Sequence, residues 1–217
     1  MDTYNTLGDM NYRGKRVLLR VDINCPMDKK TLKIINDSRI RAVIPTIREL
    51  MGKKAKVVIL AHQSRKGKWD FTDLSQHAAL LSKNLNAPVK YVDDVLGEEA
   101  RKAISEVGDG EVLLLGNVRA IDSESVSKPM EEHAKGEIVT TLAPLFDYYV
   151  CDAFGAAHRS QCSLVGFEDV LPSASGRLMA KEMYALRTIF NSPRRPSVFI
   201  LGGEKFGDIP HMIERVI

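Results

Sequence analysis

Cysteine is scarce in this chain: Cys25, Cys151 and Cys162 are the three among 217 residues, and they share no metal-like spacing. An odd set of this kind excludes a disulfide framework and points to reduced thiols in a cytoplasmic protein. Cys25 and Cys151 lie in or beside apolar runs and are expected to pack. No stretch approaches the roughly 18 apolar residues of a membrane span. Residues 1–5 lack a basic and apolar signal region, so neither a leader nor a membrane partner is expected. No block of like charges, repeat or low-complexity segment is present, and a net charge of +3 is too small to argue for nucleic acid. What remains is ordinary globular composition, 44% hydrophobic and 27% charged, in a length that suits one domain or one domain and part of another.

Four short apolar runs each lead into basic residues. Val17-Leu18-Leu19 leads into Arg20, then Asp22 and Asn24. Val57-Val58-Ile59-Leu60 leads into His62 and Arg65. Val112-Leu113-Leu114-Leu115 leads into Arg119, and Tyr148-Tyr149-Val150-Cys151 leads into His158 and Arg159. If the runs are parallel strands, their carboxyl ends share one sheet edge, where open α/β folds bind ligands. Arginines and histidines gathered there suit a small, highly charged anion, because a guanidinium binds two phosphate oxygens with a planar fork. One such arginine alone reads as a solvated charge; four strand ends repeating the pattern do not.

The pattern alternates strand and helix. Strands are predicted over 15–21, 56–61, 88–92, 111–115 and 147–152. Helices are predicted from the cap candidates Asp37 and Ser38 to Gly52, and over 75–85, 97–107 and 128–142. Pro45 predicts a kink or a late start in the first helix. Helical connections of this length imply right-handed crossovers, and strands apolar on both faces imply a sheet covered on both sides. The expected fold is α/β, a Rossmann-like three-layer sandwich with a parallel sheet of about six strands. Residues 166–175 read as loop and 176–190 as a helix. Residues 191–196, Asn-Ser-Pro-Arg-Arg-Pro, read as a hinge. A further strand over 197–201, Gly202-Gly203-Glu204-Lys205 and a helix from Asp208 resemble the opening unit of a second domain. The domains are thus expected at 1–175, a linking helix and hinge at 176–195, and the start of a second domain at 196–217.

Among the candidate residues, His62 and His158 suit an anion either as neutral donors or as cations. His77, His133 and His211 lie in helical patterns and are expected at the surface. Asp22 and Asn24 alternate along the strand end, so they point to one side and either read hydroxyl groups or stabilise a turn. Asp152-Ala153-Phe154-Gly155 carries an extra residue relative to the metal-binding Asp-Phe-Gly of protein kinases and lacks its companion motifs. Gly202-Gly203-Glu204-Lys205 lacks P-loop spacing, although its backbone N–H groups and Lys205 suit a phosphate at a helix start.

Together these blocks carry a resemblance. Arg20-Val21-Asp22-Ile23-Asn24-Cys25-Pro26, Ser38-Arg39-Ile40, Ala61-His62-Gln63-Ser64-Arg65 and Gly116-Asn117-Val118-Arg119 resemble, in order, motifs of phosphoglycerate kinases. So do Asp152-Ala153-Phe154-Gly155-Ala156-Ala157-His158-Arg159-Ser160, the helix start Gly176-Arg177-Leu178-Met179-Ala180-Lys181-Glu182, and Leu201-Gly202-Gly203-Glu204-Lys205. Residues 159–167 look closer to archaeal members. The resemblance covers nearly the whole chain. It implies phosphoryl transfer between 1,3-bisphosphoglycerate and ADP, giving 3-phosphoglycerate and ATP, with Mg2+ accompanying the nucleotide and no tightly bound metal in this chain. It implies that Asp22 and Asn24 contact the glycerate. Arg39 would steady the group in transfer. His62, Arg65, Arg119 and Arg159 would hold the 3-phosphate with His158 beside them. Gly202, Gly203 and Lys205 would meet the nucleotide, with Lys205 neutralising the transferring group. Positioning and electrostatics supply most of the catalysis in such transfers.

The departures are specific. Family members are about twice as long, Ile209 stands where many have a second lysine, Glu204 where alanine is usual, and Gly116 where glutamate is common. The chain is therefore expected to bind 3-phosphoglycerate without turning over alone. Family members are usually monomers, but residues 196–217 are expected to swap, pair across a dimer or fray for want of sheet neighbours. An anion-binding module without transfer chemistry, and a homologue that has lost activity, remain the alternatives.

Overall fold

Alternate residues of the first strand, β1 (Arg16–Val21), face two different hydrophobic layers. Val17, Leu19 and Val21 meet one layer, and Leu18 the other. The same division runs through β2 (Lys56–Ala61), where Val57 and Ile59 oppose Val58 and Leu60, and β4 (Val112–Asn117), where Val112 and Leu114 oppose Leu113 and Leu115. Burial on both faces is what turns these strands into unbroken apolar runs. This computed structural model describes residues 4–198 and 200. With β3 (Val89–Tyr91), β5 (Tyr148–Asp152) and β6 (Ser173–Ser175), the six strands form one sheet in the order β3-β4-β2-β1-β5-β6. Every pairing is parallel.

Helices α1 (Ser38–Gly52) and α2 (Ser75–Leu85) bury Ile40, Val43, Ile47, Leu50, Leu81 and Leu85 in the first layer. Helix α3 (Glu98–Ser105) and, further on, α5 (Glu137–Leu142) supply Ala100, Ile104, Ile138, Val139 and Leu142 to the second. The three-layer α/β sandwich expected from the sequence is the observed one. Strand β1 lies between β2 and β5, so the chain reverses direction across the sheet there, the usual ligand position in such folds.

Several expectations are corrected. Helix α1 does not start late: it begins at Ser38 and continues through Pro45, because burial of its apolar face outweighs the roughly 3 kcal/mol cost of an internal proline. Asp37 occupies the cap position without a side-chain cap bond; its carboxylate pairs with Arg41 at 2.8 Å. The long helix expected over 128–142 is two short ones, α4 (Met130–His133) and α5, broken at Gly136, whose extended backbone restarts the chain. The sixth strand is Ser173–Ser175, inside the stretch read as loop. Residues 197, 198 and 200 are not in a strand, while 199 and everything from Leu201 on lie outside the described residues. That places Gly202, Gly203, Glu204, Lys205, Ile209, His211 and the expected final helix outside them too. His77 and His133 are buried rather than on the surface.

Two further helices complete the described elements, α6 (Cys162–Val165) and α7 (Arg177–Asn191). The chain divides into two compact units, Met1–Ala180 and Lys181–Ile217, so α7 begins in the first and ends in the second. Its start is tied to the sheet. Asp152 Oδ1 accepts the Met179 N–H at 3.0 Å, Asp152 Oδ2 accepts the Thr46 hydroxyl at 2.6 Å, and that hydroxyl accepts the Arg177 N–H at 2.8 Å. Burial pushes the Asp152 carboxyl above its ordinary range, against the pull of these donors.

Candidate functional site

The chain leaves β1 at Val21 and turns at once. Asp22, nearly buried, accepts the Asn24 N–H on Oδ1 at 3.2 Å and pairs through Oδ2 with Arg39 Nη1 from the first turn of α1. Asn24 Oδ1 accepts the Ser64 N–H at 3.0 Å, joining the loop after β1 to the loop after β2. Both residues therefore stabilise turns. An open cleft of about 450 Å3 lies beside them, lined by Asn24, Cys25, Pro26, Asn36, Ser38, Arg39 and Asp70. That volume falls within the usual small-molecule range.

Gln63 locks the same two loops from below. Its Oε1 accepts the Cys25 N–H at 2.9 Å and its Nε2 donates to Cys25 O at 3.0 Å. Gln63 Oε1 is thereby the acceptor for His77 Nε2 at 3.1 Å, and burial pulls the imidazole of His77 down to about 4. Asn117 joins the loop after β4 by donating to Gln63 O at 2.8 Å and Thr72 O at 2.9 Å. At Gly116, where the resemblance favours glutamate, space is tight: an added Cβ would lie 3.0 Å from the Asp94 N, so the backbone there would have to give by a few tenths of an ångström.

On this frame sit the cations. Arg20 is fully buried, and His62 and Arg119 nearly so. Arg119 donates Nη1 to Ser64 O at 2.6 Å and Nη2 to Gln161 Oε1 at 3.2 Å, while its buried Nε has no partner among the described residues. Burial, then the fields of Arg20, Arg119, Arg159 and Arg39, holds His62 well below the ordinary imidazole range. Burial, then Arg159 and Arg20, likewise presses Arg119 down, partly offset by Glu124 and Asp22. Cations crowded in this way repel one another until an anion arrives, so the electrostatics favour a phosphate or carboxylate.

The structure therefore brings Asp22, Asn24, Arg39, His62, Arg119 and Arg159 to one edge. Arg65 and His158 stand exposed on the loops after β2 and β5, with no side-chain partner among the described residues. Sequence reasoning missed Gln63, Asn117, Glu124, Gln161 and Ser163, and set Arg20 in the row of strand-end cations without giving it a role. The available signal was their position: polar residues inside or just after runs destined for burial. Among the described residues no group of three or more His, Cys, Asp or Glu could hold a metal ion, and no helix is long and apolar enough to cross a membrane.

A family model described as phosphoglycerate kinase matches residues 7–217. The phosphoglycerate kinase of Sulfurisphaera tokodaii is 49% identical over 208 residues, covering 96% of this chain and 50% of that protein. The phosphoglycerate kinase of Saccharolobus solfataricus is 48% identical over 215 residues, covering 99% and 52%. The crystal structure of phosphoglycerate kinase from Pyrococcus horikoshii OT3 superposes with a TM-score of 0.91 at 42% identity, over 97% of this chain and 53% of that one. The chain spans about half the length of the curated relatives it matches.

Proposed function

The chain belongs to the phosphoglycerate kinase family, and from that premise we propose that its first unit is the half that binds 3-phosphoglycerate or 1,3-bisphosphoglycerate. The observation that carries this reading is the gathering of Arg39, Arg119 and Arg159 around His62, beside Asp22 and Asn24, at the carboxyl ends of β1, β2, β4 and β5. His62, Arg119 and Arg159 hold the 3-phosphate, with Arg65 and His158 closing over it from their loops. Asp22 and Asn24 read the glycerate backbone. Asn24 Oδ1 is already committed to Ser64, which leaves its amide N–H groups for the ligand. Arg39, fixed by Asp22 and half-exposed, reaches the carboxyl or acyl-phosphate end and steadies the phosphoryl group in transfer.

In the whole protein ATP or ADP delivers or accepts that group, and its magnesium ion neutralises charge on the nucleotide phosphates. We assign Gly202, Gly203 and Lys205 to that side, on the resemblance alone. The corresponding organisation is a glycerate domain over 1–175, a linking helix and hinge over 176–195, and the start of a nucleotide domain over 196–217. A soluble cytoplasmic setting suits this reading.

Calorimetric titration of residues 1–217 tests it. The expected result is binding of 3-phosphoglycerate that weakens with salt, and weak or no binding of ADP. Equal affinity for 3-phosphoglycerate, sulfate and ADP would favour a general anion module, and no binding of any would favour an inert homologue; either refutes the reading.

A further inference from the structure

A buried carboxylate that the proposed function does not use lies beneath the cations. Glu124 sits in the short 3-10 turn Asp122–Ser125 and is fully buried. Both of its oxygens go to one residue. Oε1 accepts the Ser163 hydroxyl at 2.6 Å and Oε2 accepts the Ser163 N–H at 2.8 Å. With its proton committed to Glu124, the Ser163 oxygen is the acceptor for Arg20 Nε–H at 2.7 Å. Tyr149 OH donates to Ser163 O at 2.9 Å and pins the backbone of the same residue. Arg20 then donates Nη1 to Val21 O, and its Nη2 lies 3.0 Å from Nδ1 of His62.

A guanidinium has donors and no acceptor. Nδ1 of His62 therefore carries the lone pair, and the ring proton is on Nε2. The opposite tautomer would set an Nδ1–H against the Arg20 N–H inside a buried contact. An imidazolium would do the same and add a further positive charge among Arg20, Arg39, Arg119 and Arg159. Arg20 is consequently the donor on both sides, through Nε toward Ser163 and Glu124 and through Nη2 to His62.

We propose that Glu124, acting through Ser163 and Arg20, is a positioning residue that fixes His62 as a neutral Nε2–H donor to the substrate phosphate. The proposal rests on the phosphate reading given above. The carboxylate compensates Arg20 and orients its guanidinium, and the guanidinium selects the tautomer. His62 then offers the anion one directed hydrogen bond with no proton to take up. Glu124 itself touches no ligand.

Two-bond 1H–15N NMR of the imidazoles in residues 1–217, with the His62 signals assigned from H62Q, tests this without ligand. The expected spectrum shows His62 protonated at Nε2 and bare at Nδ1 throughout pH 6 to 8. S163A and E124Q should each give a mixture of tautomers and weaken 3-phosphoglycerate about tenfold, the scale of one neutral hydrogen bond. S163T, which keeps the hydroxyl, should restore both readouts. S163A keeps the test available if E124Q fails to fold. An Nδ1–H or imidazolium signature in the wild-type chain overturns the proposal. So does a lower melting temperature in S163A with tautomer and affinity unchanged, which is what a merely structural role would give. A wild-type chain with the expected Nε2–H signature that binds no 3-phosphoglycerate supports the relay and refutes the reading of the site.

Discussion

Gly155 is the position where one added methyl group strikes the glycerate end of the site. It lies in the 3-10 turn Phe154–Ala156, outside the left-handed region, so alanine suits its backbone. The obstacle is contact. A Cβ at Gly155 would lie 2.5 Å from Asp22 Oδ2 and 3.4 Å from Arg39 Nη1. An ordinary carbon–oxygen contact is about 3.3 Å, so the carboxylate oxygen must retreat by roughly 0.8 Å. Asp22 is a short side chain held by Arg39 and the Asn24 N–H, so the retreat comes from breaking one of them. Overpacking costs about 1–3 kcal/mol, and the exposure of Gly155 and Arg39 puts this case near 1, a fall of about 2–4 °C in Tm. Binding should suffer more. Releasing Arg39 removes one charge-assisted hydrogen bond to the ligand, about 1.5–3 kcal/mol, or roughly ten- to a hundredfold in Kd. Calorimetry with 3-phosphoglycerate at fixed ionic strength measures the loss. The double variant G155A/D22A isolates its cause: with the carboxylate gone the methyl has room, so the two losses should not add. G155A binding like wild type, or losses that sum, would refute the reasoning.

Other positions test other links. In G176A the new Cβ would lie 2.3 Å from Asp152 Cγ, inside the anchorage of α7, so unfolding should become easier by about 1–3 kcal/mol; an unchanged denaturation midpoint contradicts that anchorage. His77 is neutral in the fold, with its pKa at about 4 against an ordinary 6.5. The unfolded chain therefore takes up this proton first, and the His77 contribution is complete above about pH 6.5 and lost toward pH 4. H77Q, whose amide can still donate to Gln63, should remove about 3 kcal/mol of that acid loss in urea titrations across the range. An unaltered pH slope would show that His77 is not held neutral. R119A should weaken 3-phosphoglycerate by about tenfold or more while the far-ultraviolet circular dichroism is retained, because most of the packing around β4 is apolar.

The sheet was legible because burial on both faces removes polar residues from its central strands, as at Leu18, Val58 and Leu113. Strand β6 was not legible, since Ser173–Ser175 is short, has one apolar residue and is a strand only through pairing with Tyr149, Val150 and Cys151. The break at Gly136 was hidden inside a continuous helical pattern. His77 and His133 read as surface residues because a sequence does not display the partner that satisfies a buried imidazole. For His77 that partner is Gln63; for His133 Nε2 it is the Lys128 N–H at 3.2 Å when the nitrogen is bare, or Ser160 O at 3.1 Å when it carries the proton. The site divides in the same way. Its outward cations repeat at strand ends and could be found by that repetition. The frame beneath them, Gln63 on Cys25 and Glu124 on Ser163, is made of pairs about 40 residues apart, and only the fold brings them together.

A crystal structure of residues 1–217 with 3-phosphoglycerate bound tests the assignment of the strand-end edge most directly. The expected complex has the phosphate held by His62 Nε2, Arg119 and Arg159, with the glycerate backbone against Asp22 and Asn24 and the carboxyl end toward Arg39. A ligand bound in the reverse direction, or away from the carboxyl ends of β1, β2, β4 and β5, would contradict it.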